Sequence, residues 1–182
     1  YYQFHRLWSI IRRQGCCNWI MPFGYKGNIK PIYSNKIKGM ETVTAIEIRK
    51  TKQSKISEVD LDALEFGKHT SDHMLVCDYD NGEWQQPMIV PFANLSLSPS
   101  TLALHYGQTV FEGMKAFRMS AGAGAPDGNV NIFRLDRHYD RLVRSLDRMC
   151  MAAPPREVFT EGLMKLVQLD NAWVPKKPGT AL

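Results

Sequence analysis

The sequence predicts an α+β domain. Three observations carry that expectation: two β-hairpin signatures in mid-chain, two helical periodicities toward the C-terminal end, and no regular βαβ alternation of the kind a parallel sheet needs. With 182 residues, 44% of them hydrophobic, the chain is long enough to bury one core.

Residues 41–60 are polar, charged and weakly periodic, and read as a linker or loosely packed lead-in; the compact part is expected to start near Leu61. Met74 to Tyr79 and Pro87 to Phe92 are apolar, β-prone runs on either side of an Asp80-Asn81-Gly82 turn signal, which predicts the first hairpin. Ser98-Pro99-Ser100 offers a helix start, and Leu104, Gln108 and Phe111, with Gly113 as C-cap, predict a short helix through residues 102–113. Met114 to Met119 and Val130 to Phe133 form the second hairpin, with residues 120–129 as its loop. The glycines Gly122 and Gly124 in that loop lack the strand, glycine loop and helix order of a phosphate cradle, so a plain loop is expected.

From Asp136 onward, Leu135, Tyr139, Leu142, Leu146 and Met149 step by alternating fours and threes, the stripe of an amphipathic helix ended by Pro154-Pro155. A parallel basic row holds Arg137, Arg141, Arg144 and Arg148, with Asp140 and Arg144 at pairing distance; it reads as a solvated face. A further helix from Arg156 buries Phe159, Leu163, Leu166 and Val167 and ends before Pro175.

Charge and motif patterns narrow the function classes. Residues 1–40 contain seven Lys or Arg and no Asp or Glu, leaving 16 of the 23 basic residues against all 18 acidic ones in residues 41–182. The net charge of +5 is therefore a property of the leader, and the rest is mildly acidic. A basic, acid-free leader with interspersed Trp and Ile predicts mitochondrial import, with cytoplasmic residence as the alternative. Mean hydropathy is −0.31 and no apolar run approaches the roughly 18 residues a membrane-spanning helix requires, so a soluble, globular chain without membrane partners is expected. The part beyond the leader lacks the aromatic-interleaved basic patch of single-strand binders, which argues against nucleic acid. Cys16, Cys17, Cys77 and Cys150 form no C-x-x-C pair and demand no oxidising compartment. His69 and His73 have the i, i+4 spacing of helical metal ligands but sit in a turn leading to a strand, without a third ligand; no metal site is expected.

One segment goes further. Leu104-His105-Tyr106-Gly107-Gln108-Thr109-Val110-Phe111-Glu112-Gly113-Met114-Lys115-Ala116-Phe117 closely resembles the branched-chain amino-acid aminotransferases, pyridoxal-phosphate enzymes of the class IV aminotransferase family. The resemblance continues through Asn131-Ile132-Phe133-Arg134, Asp140-Arg141-Leu142 and Asp170-Asn171-Ala172-Trp173-Val174-Pro175, covering roughly residues 64–182. It implies the small N-terminal domain of a fold type IV pyridoxal-phosphate-dependent aminotransferase over residues 59–182, with antiparallel hairpins and packed helices; the basic leader, read from its charge as a transit segment, and the linker occupy residues 1–58.

The family's residue roles transfer only where positions match. Arg141 stands where the family's arginine holds the cofactor phosphate, a role suited to a planar, permanently charged guanidinium. Phe66, Tyr106 and Phe111 match positions that line the pocket for the substrate's branched side chain, where apolar rings favour it by contact and desolvation. Glu112 and Lys115 lie in the best-matching block without assigned chemistry and read as structural. The Schiff-base lysine of the family belongs to its C-terminal half, and no lysine here sits in a matching context, so no catalytic residue is expected in this chain. The chain starts without Met and the resemblance stops at Leu182, which gives the expectation of a truncated, inactive transaminase chain. Implied for the whole enzyme are reversible amino transfer between leucine, isoleucine or valine and 2-oxoglutarate, and a homodimer. The alternative is a non-catalytic splice fragment acting as an interaction or dimer-modulating module. Class IV siblings acting on D-amino acids or aminodeoxychorismate fit the Phe111–Phe117 block and Trp173-Val174-Pro175 less well.

Overall fold

A computed structural model describes residues 45–182, apart from 62, 65–66, 120–128 and 178–179, together with the backbone of Arg13–Gln14. Its architecture is α+β: short strands and three helices around one apolar core. The strands are β1 (Arg13–Gln14), β2 (Glu47–Ile48), β3 (His73–Val76), β4 (Tyr79–Asp80), β5 (Glu83–Trp84), β6 (Met88–Pro91), β7 (Ala116–Arg118) and β8 (Val130–Ile132). The helices are α1 (Leu102–Tyr106), α2 (Leu135–Arg148) and α3 (Arg156–Leu169).

Both predicted hairpins form. β3 runs antiparallel to β6 with Leu75 opposite Ile89, and β7 runs antiparallel to β8 with Ala116 opposite Ile132. Between β3 and β6 the chain inserts the smaller β4–β5 hairpin, turned by Asn81 (φ 51°) and Gly82 (φ 88°), the Asn-Gly pair whose twist suits a two-residue turn. Two pairings are parallel, not antiparallel: β2 lies along β6 and β1 along β4. β2 also changes the picture of the lead-in. Ile46 is buried in the core, Arg49 N–H donates to Ile89 O at 2.8 Å, and the folded part begins earlier than Leu61. A single strand pairing with a partner some forty residues on leaves no local periodicity to read.

Helix α1 stops at Tyr106, seven residues short of the predicted Gly113 cap, because Gly107 adopts φ 59° and turns the chain out of the helix. Helix α2 ends at Arg148, well before Pro154. Cys150 takes a left-handed φ of 52°, Met151 N–H donates to Leu146 O at 2.9 Å and Cys150 N–H to Asp147 O at 3.2 Å, a Schellman closure with cysteine where glycine is usual. Leu142 and Leu146 are buried as the stripe predicts, with Leu135 and Tyr139 packed beside them. Asp140 pairs with Arg156 of α3 at 2.7 Å and not with Arg144; Arg156 also stacks 4.4 Å over the Tyr139 ring, so the two helices are tied across their faces.

Helix α3 lays Phe159, Leu163, Leu166 and Val167 against β3 and β8. Gly162 permits the close approach: a Cβ there would lie 2.7 Å from Leu75 Cδ2. After α3, a 3-10 turn at Asn171–Trp173 buries Trp173, whose Nε1–H donates to Asp72 Oδ2 at 2.9 Å. Among the described residues no helix is long and apolar enough to cross a membrane.

Candidate functional site

Extended backbone alternates its side chains. Between Gly107 and β7 the chain is in no helix, and Val110, Met114 and Ala116 pack inward at alternate positions. Glu112 shares their register, so its carboxylate is carried inward too, to a side-chain exposure of 6%. Phe111 falls on the opposite side and is exposed. A buried carboxylate without a partner would be costly. Helix α2 supplies two, at i and i+3 on one face: His138 and Arg141.

His138 Nδ1 lies 2.7 Å from Glu112 Oε1. The Arg141 guanidinium donates from Nε to both Glu112 oxygens, at 2.8 and 3.0 Å, and from Nη2 to Oε1 and to Gly113 O, the latter at 3.3 Å. Burial alone would raise the Glu112 carboxyl, but hydrogen bonds from Arg141 and His138, reinforced by their charges, outweigh it and hold its pKa below the ordinary glutamate value. The same hydrogen bond and charge raise Arg141 further above its already high value. Arg141 is thus fixed on one edge by a buried anion, while its side chain stays 56% exposed. Nη1 makes no hydrogen bond among the described residues. Next to it, Arg141, Arg144, Ser145, Asp147 and Arg148 line a shallow, solvent-open depression of about 350 Å³.

This arrangement suits an oxyanion. A guanidinium held by a carboxylate on one edge keeps its remaining donors in plane for a phosphate oxygen, at a depression where Arg144 and Arg148 outnumber the one carboxylate, Asp147. It can bind and orient; a group so strongly basic is no acid or base at neutral pH. The residues present therefore fit an oxyanion such as the phosphate of pyridoxal phosphate, which Arg141 would hold.

The other sequence-predicted site residues are placed differently. Tyr106, the last residue of α1, is 80% exposed, and Phe111 is 66% exposed; neither lines the depression beside Arg141. Phe66 lies outside the described residues, as do the glycines Gly122 and Gly124. His73 is no metal ligand in this arrangement. Its Nε2 accepts from Thr51 N–H at 2.9 Å, which assigns the proton to Nδ1, and that nitrogen donates to Asp170 Oδ1 at 2.6 Å. Asp170 Oδ2 in turn accepts the His73 backbone N–H at 3.0 Å.

Sequence reasoning missed the part played by Glu112. The available signal was a lone carboxylate at an inward position of the run Val110, Glu112, Met114, Ala116, which requires a cationic partner.

Comparison with known proteins places this site in context. Branched-chain-amino-acid transaminase 1 of Bacillus subtilis is 45% identical over 124 residues, 68% of this chain and 33% of that protein. Branched-chain-amino-acid aminotransferase 2 of the same organism is 40% identical over 139 residues, 75% of this chain and 36% of that protein. The branched-chain-amino-acid aminotransferase of Mycobacterium tuberculosis is 40% identical over 115 residues, 63% of this chain and 30% of that protein. No family model matches the chain. The chain spans about a third of the length of the curated relatives it matches, and over that third it is a homologue of the branched-chain-amino-acid aminotransferases.

Proposed function

We propose that this chain provides the cofactor-anchoring part of a pyridoxal-phosphate-dependent branched-chain aminotransferase of fold type IV, which moves an amino group reversibly between leucine, isoleucine or valine and 2-oxoglutarate. The supporting observation is Arg141: an exposed guanidinium, fixed on one edge by Glu112, in a segment whose relatives carry that name. Bound pyridoxal phosphate supplies the electron sink for amino transfer. Arg141 holds its phosphate, and Phe66, Tyr106 and Phe111 meet the substrate's branched side chain. None of these residues carries a proton in the reaction; the lysine that does so is assigned by resemblance to the part of the relatives beyond the matched third. The working assembly in this reading is a homodimer, and the basic leader supports mitochondrial import.

Equilibrium dialysis of pyridoxal phosphate and of pyridoxal against the full chain tests the anchor. The phosphorylated form should bind at least about tenfold more tightly, and Arg141→Ala should abolish that preference. Equal binding of the two forms by the unaltered chain would overturn the reading.

A further inference from the structure

We infer that Glu112 is a positioning residue, holding Arg141 by its Nε and Nη2 edge so that the Nη1 edge is presented to an oxyanion of the phosphate class. The inference deepens the phosphate-anchor reading and rests on it. An arginine on an open helix face samples many rotamers, and an anion that binds it must freeze them at a cost in side-chain entropy. Here that ordering is already present. The Glu112 carboxylate is itself enclosed, being 6% exposed and lying at the same alternate positions as the buried Met114 and Ala116. Two Nε contacts, the Nη2 contacts to Oε1 and to Gly113 O, and the neighbouring His138 Nδ1 at 3.3 Å from Nη2 leave one edge unspent. The side chain that carries it is 56% exposed.

The rival role for Glu112 is neutralisation, and the two roles differ in sign. A neutralising carboxylate competes with an incoming anion, so its removal tightens anion binding; a positioning carboxylate pre-organises the donor, so its removal weakens it.

The test is titration of the full chain with inorganic phosphate, followed by proton–nitrogen NMR of the arginine Nε–H groups, with Arg141 assigned through Arg141→Lys. In the unaltered chain the Arg141 Nε–H should exchange slowly with water and shift on phosphate addition. Glu112→Gln, which keeps the shape and removes the charge, should broaden that signal and weaken phosphate binding about tenfold, and Glu112→Asp should restore part of it. Phosphate bound as tightly or more tightly by Glu112→Gln overturns the positioning role. If Arg141→Ala weakens phosphate binding while Glu112→Gln does not, only positioning fails; if Arg141→Ala changes nothing, the anchor reading falls with it. Should the Glu112 variants not fold, rapid Nε–H exchange at Arg141 in the unaltered chain is sufficient to reject the proposal.

Discussion

Two acid–base pairs sit at opposite ends of a solvent gradient in this molecule. His73–Asp170 is closed: its side chains are 6% and 3% exposed, and each imidazole nitrogen and each carboxylate oxygen has a partner inside the fold. Glu112–Arg141 is half open: the carboxylate is buried, the guanidinium is not, and one edge of the guanidinium is left unspent. The two pairs use similar chemistry, hydrogen-bonded charge between an extended segment and a helix or its end. A closed pair can only hold two elements together, whereas a half-open pair can hold and also bind. The resemblance to aminotransferases gave a role to the arginine of the open pair; it covers Asp170 of the closed pair without giving it one.

Breaking each pair should separate the two roles. Asp170→Ala strands the His73 backbone N–H and Nδ1–H in the core without acceptors, and should cost about 3 kcal/mol of unfolding free energy in urea titrations. Arg141→Ala removes an exposed cation while His138 remains on Glu112, and should cost no more than about 1 kcal/mol. Equal losses would erase the distinction.

Acid should sharpen the comparison next. The Glu112 carboxyl lies below its ordinary value of 4.5 in the folded chain, so it contributes stability above that pH and loses it as pH falls through the folded value. Asp72 behaves in the same sense from 3.8: burial pulls its carboxyl upward, but hydrogen bonds from Ser54, Lys55 N–H and Trp173 outweigh it. Stability measured by urea midpoint should therefore fall as pH drops below about 4.5, and Glu112→Gln should flatten the upper part of that fall. An acid limb in Glu112→Gln identical to that of the unaltered chain would show that the pair carries no folding energy.

The smallest effect is kinetic. Cys77 follows β3 at its C-terminal end; burial pushes its thiol up to about 11, and it donates to Gln85 O at 3.2 Å. Cys150, just past the end of α2, is exposed. Peptide mapping after brief maleimide treatment at about pH 8 should find Cys150 labelled at least about a hundredfold faster than Cys77. Comparable rates would mean that the end of β3 and the β4–β5 hairpin over Cys77 open readily.

What the sequence reveals of this molecule follows interaction range. The β3–β6 and β7–β8 hairpins, α2 and α3 were legible because their periods are local: Met74 to Val76 facing Met88 to Val90, and Leu142 and Leu146 on one helical stripe. The end of α1 was not, because its run of helix-compatible residues continues past Gly107 and only the left-handed φ there stops it. The β2–β6 pairing and the Asp170–His73 pair, 97 residues apart, depend on packing that leaves no mark in either segment alone. Arg141 was legible only through resemblance, since helix periodicity by itself placed it on a solvated row with Arg137, Arg144 and Arg148. Its bond to Glu112 required the chain to leave the helix before residue 110, where the sequence predicted helix as far as Gly113.

Phosphorus NMR of pyridoxal phosphate titrated with the unaltered chain and with Arg141→Ala tests most directly that the open pair is an anion anchor. The account predicts a saturable shift of the phosphate resonance with the unaltered chain that is absent with Arg141→Ala, whose circular dichroism should remain that of a folded protein. The same shift with both chains, or none with either, would contradict it.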